Sequence, residues 1–394
     1  MFVYLFILLL ILFNIYRFDI RKIERNRLRS FYWIIFLLFI VAGFRYHIGI
    51  DTMRYTKSFE SIPPLFSLKS GDINFEELSQ PLWFFINSFL RSITDDFFVV
   101  QLFQSAVFHI LLARFILKIS DKPFIVLGIV YCVAWWNFVF EVMRESLCVV
   151  IYVNALLSLK NKDYKTYILS ALIAMGIHWF SFVIFFITPF VQLCRRRLLF
   201  IILTIIGIIV FVLDTSVISN MVYFLTTLAE GDASDRMVMY LESDTNGVIV
   251  VSLLGSIFII LTQVIYPILV SNSISKDNNT FLFSKLLLLY IVFVLLRMNI
   301  LIFDRFCNYL VLLLIVFTVD VLSNKQKYHL SKIYRLYLYI GIFILTFQGI
   351  KAFISPSSLE FRQHINYDCR YIPYKTIFQD PDKNREELYN SYGL

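Results

Sequence analysis

Six arginines of this 394-residue chain lie at the ends of apolar segments or in polar stretches between them. A guanidinium group is planar and presents five N–H donors, so several of them facing one cleft can bind a phosphate or pyrophosphate. The alternative is that each arginine is an anchor whose charged end reaches the interface of a membrane. The candidates for pyrophosphate binding are Arg45, Arg144, Arg236, Arg297 and Arg305, with Arg54 as a substrate-positioning residue.

A histidine supplies the best candidate for acid–base chemistry. His178 lies in the apolar run IAMGIHWFSF, with Ser181 three residues later. The ordinary pKa of imidazole is about 6.5, so His178 could remove the proton of a hydroxyl at neutral pH. A buried neutral histidine bonded to a backbone carbonyl is the structural alternative. Asp51 is the second candidate for the base, and a salt bridge with Arg45 or Arg54 is its alternative.

Two carboxylates and two glycines accompany these groups. Glu141 and Glu145 flank Arg144, and they are either further functional carboxylates or ion-pair partners of that arginine. Gly43 and Gly49 allow the chain to leave a helix and bend close to a ligand beside Asp51.

Several common catalytic motifs are absent from the sequence: HExxH, a nucleotide-binding glycine loop and a nucleophile elbow. The five cysteines are scattered without metal-ligand spacing. We therefore expect neither a metal nor a cofactor. The net charge of +8 comes mostly from basic loops between apolar segments, and it gives no indication of nucleic-acid binding.

The elements that position these residues are membrane helices. Hydrophobic residues make up 59% of the chain and charged residues 16%, and the apolar residues form blocks of a length that can cross a bilayer. Lipid offers no hydrogen bonds, so each block must satisfy its own backbone as a helix. We predict an all-α, polytopic bundle of about twelve transmembrane helices in one membrane domain over residues 1–394.

The positions of Lys and Arg predict which side of the membrane each loop faces. Residues 17–30 carry six Lys or Arg side chains, which predicts a cytoplasmic loop. The first apolar block has no preceding basic stretch, so it is predicted to be a retained helix. Counting crossings from there, the outer loops are 47–96 and 214–247, and the C-terminal tail 355–394 is also outside.

Two twelve-helix topologies differ in the middle of the chain. In the preferred one, residues 81–92 lie in the outer interface, and 166–178 and 179–193 are two short helices. In the rival one, residues 81–93 cross the membrane and 166–190 form one helix. The preferred topology leaves more of the intervening lysines inside, as membrane proteins favour.

Five motifs, in this order along the chain, resemble the EpsG-like and Wzy-type polysaccharide polymerases of bacteria. The first is GFRYHIGIDTMRYTKSFE (43–60), which supplies Arg45, Gly49, Asp51, Tyr55 and Glu60. The others are MRESLCVV (143–150), HWFS (178–181), DRFCNYL (304–310) and YIPY (371–374). Glu145 departs from the glutamine expected after Arg144 in many relatives.

The resemblance implies a membrane glycosyltransferase, with a GT-C-like fold, that polymerises O-antigen repeat units. It implies transfer of a growing glycan from undecaprenyl pyrophosphate to a lipid-linked repeat unit at the outer face of the bacterial inner membrane. Arginines would bind the pyrophosphate, and His178 or Asp51 would activate the acceptor. Membrane lipid and a chain-length regulator are the other expected partners. Substrate positioning is expected of Arg54, Tyr55, Glu60, Glu145, Ser181, Tyr309, Tyr371 and Tyr374.

Two other functions use similar residues. A flippase or transporter for the lipid-linked oligosaccharide would also place arginines in a membrane cleft, although the sequence contains no inverted repeat. An O-antigen ligase would use the same donor and the same chemistry.

Overall fold

The computed structural model describes residues 2–68, 80–212, 260–297, 302–328, 330–354, 371–380 and 385–386. The side chains of Ile50, Asp51, Lys325, Gln326 and residues 208–212 lie outside this description. Arg236 and the predicted outer loop 214–247 also lie outside the described residues. No named strand occurs in the described ranges, where the regular elements are helices. This confirms the all-helical class.

Most of the described α-helices follow the apolar blocks of the sequence closely. They are α1 (Phe2–Asn14), α2 (Arg27–Gly43), α3 (Ile50–Ser61), α4 (Pro81–Arg91), α5 (Phe98–Ile119), α6 (Pro123–Val130), α7 (Met143–Lys160), α8 (Tyr164–Ile177), α9 (Ser181–Leu193), α10 (Arg196–Val212), α11 (Tyr266–Ile274), α12 (Phe281–Arg297), α13 (Phe303–Ser323), α14 (Lys325–Tyr328) and α15 (Lys332–Ile354). Four π-helical segments adjoin them: Ile15–Ile20, Tyr131–Trp135, Asn137–Glu141 and Ile260–Ile265.

Local sequence explains several helix starts. Pro81 and Pro123 occupy the first positions of α4 and α6, where a missing N–H is tolerated. Asp163 caps α8 by accepting a hydrogen bond from the Thr166 N–H at 3.2 Å.

The outward faces of the helices are apolar. Phe182, Phe186 and Phe190 follow one another at helical spacing along α9, and each is exposed by about half. A row of exposed phenylalanines would be costly in water and is expected where the surrounding solvent is lipid. This is a membrane protein.

Four helical segments in the described ranges are long and apolar enough to cross a membrane by length and composition. They are Phe2–Ile20, Phe98–Ile119, Phe303–Ser323 and Lys332–Ile354. Other apolar helices are shorter, among them α8, α9 and Pro123–Trp135. The total of twelve crossings and the GT-C-like fold stay predictions.

The chain forms two compact units. The first unit comprises residues 1–183 and 343–394, and the second comprises residues 184–342. The predicted site residues 45–60, 144, 145, 178, 181, 371 and 374 belong to the first unit. Arg297, Arg305 and Tyr309 belong to the second.

One end of the first unit is basic and is held together by a buried aspartate. Asp19 accepts a hydrogen bond from the Ile125 N–H at 2.8 Å and lies 3.5 Å from the Arg27 guanidinium. Lys122 donates to the Asp19 carbonyl, and Arg27 donates to the Asp121 carbonyl. The loop after α1 and the loop before α6 therefore lie at the same end of the unit.

The segment 47–96, predicted as an outer loop, contains two helices. The helix α3, which the sequence pattern did not predict, occupies residues 50–61. The helix α4 has 11 residues, about 16 Å at 1.5 Å per residue. Gln80, just before α4, contacts Arg144, and Arg91 at its end donates to the Phe59 carbonyl of α3 at 3.3 Å. Both ends of α4 thus contact the end of the unit opposite the basic loops.

The helical hydrogen bonding stops between α8 and α9. His178 has an extended backbone conformation, with φ −150° and ψ 106°. Residues 166–190 therefore form two helices, as in the preferred topology, and not the single helix of the rival one.

Candidate functional site

The side chain of Arg144 is held in a defined orientation at the start of α7. Its Nε donates to the Tyr55 hydroxyl at 3.1 Å, and one terminal nitrogen donates to Gln80 Oε1 at 2.6 Å. The guanidinium carbon also lies 4.8 Å from the centre of the Tyr55 ring. The other terminal nitrogen, Nη2, has no hydrogen-bond partner among the described residues. Arg144 is half-buried, so this nitrogen can serve a ligand.

The backbone before Arg144 is irregular. The chain from α6 continues through two π-helical segments to Glu141, and Val142, with φ −103° and ψ 56°, separates it from α7. π-Helical segments are frequent at functional sites. The first N–H groups of α7 lack partners within the helix, so its N-terminus carries a partial positive charge beside Arg144.

His178 lies at the same end of the helix bundle as Arg144. The Cys148 thiol donates to the Ala174 carbonyl at 3.3 Å, which joins α7 to the antiparallel α8. Cys148 follows Arg144 by one helical turn, and Ala174 precedes His178 by one turn, so the two functional groups are at a similar level.

Gly176 brings α8 close to α4. A Cβ atom on Gly176 would lie 2.8 Å from Leu82 Cβ, nearer than side chains approach one another. Leu82 is two residues after Gln80, the partner of Arg144. The residues predicted separately at 55, 144 and 178 are thus gathered around the first turn of α4.

The HWFS motif forms the turn between α8 and α9. The His178 N–H donates to the Ala174 carbonyl at 2.8 Å, and the Ser181 N–H donates to the His178 carbonyl at 3.0 Å. His178 is 5% exposed and Ser181 is fully buried. The Ser181 hydroxyl has no hydrogen-bond partner in the described ranges. A substrate must come close to this turn to reach the imidazole.

Arg45 is fully buried, unlike Arg144. Its guanidinium donates to the Ala42 carbonyl at the end of α2 and to Thr52 Oγ1 at 3.2 Å in α3. It also lies 5.3 Å from the centre of the Phe140 ring and 3.3 Å from Met143 Sδ. These contacts cap α2, join it to α3 and reach the residue before Arg144.

Gly49 permits the close packing of this region. It has a φ of +94°, a conformation that other residues rarely adopt. A Cβ atom here would lie 2.1 Å from the Phe140 carbonyl oxygen. The Thr52 hydroxyl donates to the same oxygen at 3.0 Å, so the start of α3 packs directly on the end of the π-helical segment.

The described part of the C-terminal tail packs against the loop after α2. A β-bridge joins Arg45 to Thr376, and the Tyr46 N–H donates to the Lys375 carbonyl at 3.0 Å. Tyr374 donates through its hydroxyl to the Val41 carbonyl at 3.0 Å. The tail therefore forms part of the same end of the first unit.

Arg385 also fastens the tail to the loop after α2. Arg385 is 1% exposed and donates to the carbonyls of His47 and Pro373, each at 2.7 Å. Burial, followed by the charge of Arg385, lowers the pKa of His47 to about 4. His47 Nε2 also lies 4.0 Å from a carboxylate oxygen of Glu386, which would favour the charged imidazole. The Glu386 carboxylate is 38% exposed, so solvent weakens its attraction for the imidazole, and burial has the larger effect on the pKa of His47.

Tyr371 belongs to an aromatic cluster beneath the tail. Its ring lies parallel to Phe353 at 5.4 Å between centroids and 5.5 Å from Phe140. Its carbonyl accepts a hydrogen bond from the Tyr4 hydroxyl at 3.0 Å. Tyr371 thus packs against the Phe140 ring from the far end of the sequence.

The arginines of the second unit have local partners. Arg297, at the end of α12, lies 2.6 Å from Asp304 Oδ1 and also donates to Gln263. Arg305 is half-buried in the first turn of α13, and Tyr309 is buried one turn later.

A comparison with known protein families identifies the family of this chain. The sequence profile of the EpsG family matches residues 28–376, which is most of the chain. The chain belongs to the EpsG family. It is therefore a polysaccharide polymerase-like membrane protein, with glycosyltransferase-like activity in that broad sense. Neither the curated proteins nor the solved structures contain a match to it.

The remaining predicted residues of this EpsG-family chain have different surroundings. Asp51 lies in the first turn of α3, with its side chain outside the described residues. Arg54 and Glu60 are exposed on α3. Glu145 is 4% exposed and Glu141 is 8% exposed, so both carboxylates are nearly buried beside Arg144.

Sequence reasoning missed residues that complete this region. Gln80, Thr52 and Met143 contact the predicted arginines but have no distinctive type or spacing. Arg385 is surrounded by other charged residues in the sequence, and only its burial distinguishes it. His109 is buried in α5, where it contacts the Ser105 carbonyl at 2.7 Å and accepts from Trp135 Nε1 at 2.8 Å.

Proposed function

We propose that this EpsG-family chain polymerises oligosaccharide repeat units carried on undecaprenyl pyrophosphate. A hydroxyl of the acceptor sugar attacks the anomeric carbon of the donor glycan and forms the new glycosidic bond. The bond from that carbon to the pyrophosphate oxygen breaks, and the lipid pyrophosphate leaves with its electron pair. A protein base takes the proton of the hydroxyl.

The observation that carries this proposal is the environment of Arg144. Tyr55 and Gln80 fix two edges of its guanidinium and leave Nη2 to a ligand. An oriented donor stabilises negative charge in a transition state without the reorganisation that a mobile side chain would need. The N-terminus of α7 adds backbone N–H donors at the same place. We assign Arg144 as the direct ligand of the leaving pyrophosphate.

His178 is our candidate for the base. It is at the same end of the antiparallel pair α7 and α8 as Arg144, and the nearby Ser181 hydroxyl could bind a sugar hydroxyl. Asp51, in the first turn of α3, is the second candidate. We assign Arg45 a structural role beside Arg144 in place of the direct binding expected from the sequence, because it is fully buried and its hydrogen bonds go to protein groups.

The pyrophosphate-binding roles of Arg236, Arg297 and Arg305 are proposed from the sequence alone: Arg305 lies in the DRFCNYL motif, and the other two lie in or beside predicted outer loops. Arg54, Tyr55, Glu60, Glu145, Tyr309, Tyr371 and Tyr374 are proposed to position substrate, of which Tyr55 acts through Arg144.

The proposed orientation follows from charge. The loops after α1 and before α6 are joined by Asp19 at one end of the first unit, and the loop after α1 is strongly basic. Basic loops remain in the cytoplasm. The Arg144 end would then face the periplasm from the bacterial inner membrane, where flipped lipid-linked units and a chain-length regulator are available.

The test uses a host strain whose own copy of the gene is replaced by the Arg144→Ala, Arg144→Lys or His178→Gln variant. Surface polysaccharide length is measured on gels, with protein abundance measured by immunoblot. Arg144→Ala and His178→Gln are expected to leave single repeat units at normal protein abundance. Arg144→Lys is expected to retain partial activity, because lysine keeps the charge but not the planar fork.

Arg197→Ala is the matched control, because Arg197 is an exposed arginine at the start of α10. Full-length chains from Arg144→Ala would contradict the assigned role. Single lipid-linked units retained on the cytoplasmic side would indicate a flippase, and long glycans left on the lipid carrier would indicate a ligase.

A further inference from the structure

A cavity of about 460 Å³ opens at the Arg45 end of the first unit, next to the tail. Its volume is within the range of about 300–1,000 Å³ that is typical of small-molecule sites. The loop after α2, the polar face of α3, the loop before α5 and the C-terminal tail all contribute to its wall. The lining residues are Arg45, Tyr46, His47, Thr56, Glu60, Asp95, Asp96, Phe97, Phe98, Gln101, Ile377 and Phe378.

Gln101 is the residue that points to a ligand. It lines the cavity from the first turn of α5 and is only 5% exposed. Its Oε1 is buried and has no hydrogen-bond partner among the described residues. A buried amide oxygen without a partner costs about 1–3 kcal/mol, so such groups are usually satisfied by a ligand or an ordered water.

The other walls provide the two kinds of surface that a sugar requires. Tyr46, Phe97, Phe98 and Phe378 present aromatic rings, against which the C–H face of a pyranose can pack. Glu60 and Asp96 are exposed carboxylates at the opening, and carboxylates accept hydrogen bonds from hydroxyl groups.

The charge of the lining limits which sugar would bind. Three carboxylates line the cavity, those of Glu60, Asp95 and Asp96. The Asp95 carboxylate lies 3.2 Å from the guanidinium of Arg91, a residue that does not line the cavity. Arg45 adds one buried positive charge to the lining, so the carboxylates outnumber the positive charges there, and the lowered pKa of His47 keeps its imidazole neutral. The cavity is therefore negative, and an anionic sugar such as a uronate would be repelled.

We propose that this cavity binds one or two uncharged or amine-bearing sugar residues of the glycan substrate, with Gln101 hydrogen-bonded to the bound sugar. The inference rests on the proposed polymerase function, because it names the chemical class of sugar that the same end of the molecule accepts. It assigns specificity to residues that are separate from the Arg144 and His178 groups.

The experiment measures binding of a water-soluble glycan to the full-length protein in nanodiscs by saturation-transfer NMR. The probe is the repeat-unit oligosaccharide released by mild acid from the lipid-linked units of a strain without this gene. Saturation is expected on a neutral or amino sugar residue. It should fall at least about five-fold in Gln101→Leu and about two-fold or more in Asp96→Asn, an exposed position that does not threaten folding.

Gln192→Leu, the same substitution in α9 of the second unit, is the control, and thermal unfolding verifies that each variant is folded. Saturation that is unchanged in both Gln101→Leu and Asp96→Asn, or that is strongest on a uronate, would overturn the proposal. The Arg144→Ala variant distinguishes the sugar-binding proposal from the proposed polymerase function. It should bind the released glycan as the wild type does, because the probe lacks pyrophosphate, and it should fail to polymerise repeat units.

Discussion

Alanine substitutions of Arg45 and Arg144 are expected to damage the protein in different ways. Arg45 is fully buried and binds only protein groups, whereas Arg144 is half-buried with one nitrogen left for a ligand. We expect Arg45→Ala to lower the stability of the first unit. We expect Arg144→Ala to lower the rate of polymerisation per folded molecule.

The contacts of each side chain give the size of the effects. Without Arg45, the Ala42 carbonyl loses a charged donor, which costs about 1.5–3 kcal/mol. The Thr52 hydroxyl keeps its hydrogen bond to the Phe140 carbonyl, so the loss of its contact with Arg45 adds little to the destabilisation. The void left by a large buried side chain adds about 2 kcal/mol or more. Arg45→Ala should therefore lower the free energy of unfolding by about 3–5 kcal/mol.

Arg144→Ala should cost much less stability. Its two hydrogen bonds, to Tyr55 and Gln80, are near the surface, and together they are worth about 1–2 kcal/mol. Loss of one oriented donor to a developing negative charge typically slows a reaction by about 100- to 1,000-fold.

The assay combines thermal unfolding of each purified variant in detergent with polymerisation of lipid-linked repeat units, expressed per folded molecule. Arg45→Ala should unfold on the order of 10 °C lower than the wild type and keep most of its activity at low temperature. The reasoning would be refuted if Arg45→Ala unfolded like the wild type but required much more lipid-linked donor, because Arg45 would then be a direct ligand.

Three further predictions concern the loop and the tail beside this site. The pKa of His47 is about 4 in the folded protein against an ordinary value of 6.5, so as the pH falls this histidine is protonated in the unfolded chain before it is protonated in the fold. The free energy of unfolding should therefore fall as the pH drops from 6.5 towards 4, and it should fall less in His47→Gln. Unfolding measured at each pH tests this. Gly49→Ala should lower the unfolding temperature by forcing a Cβ against the Phe140 carbonyl at a φ of +94°, whereas Gly207→Ala, with 3.7 Å to its nearest neighbour, should not. Arg385→Ala should expose residues 371–380 to limited proteolysis, because the His47 and Pro373 carbonyls lose their charged donor; a cleavage rate equal to that of the wild type would contradict these contacts.

The positions of the helices along the chain could be predicted because the bilayer restricts the conformation of apolar segments. An apolar block in a membrane must be helical, so the ends of most helices agree with the hydropathy pattern to within a few residues. The helix α3 was missed because its sequence, IDTMRYTKSFES, is polar and carries no apolar block. It forms because Thr52 and Gly49 fix its first turn against the Phe140 carbonyl.

The site was predictable in its residue types but not in its contacts. Arginine beside an apolar segment is unusual enough to be noticed, and this drew attention to both Arg45 and Arg144. Their environments differ because residues distant in sequence surround them: Met143 and Phe140 cover Arg45, and Gln80 and Tyr55 orient Arg144. Periodicity carries no information about such partners.

The sequence by itself determined that this chain is a helical membrane protein, which of its loops are basic, and which motifs it shares with the EpsG family. These properties depend on composition and local order along the chain. Only the tertiary structure decided that Arg45 is buried and Arg144 accessible, that the tail packs on the loop after α2, and that Gln101 lines a cavity. Burial and hydrogen bonding depend on which segments meet in space, and residues up to 367 positions apart along the chain meet at this end of the protein.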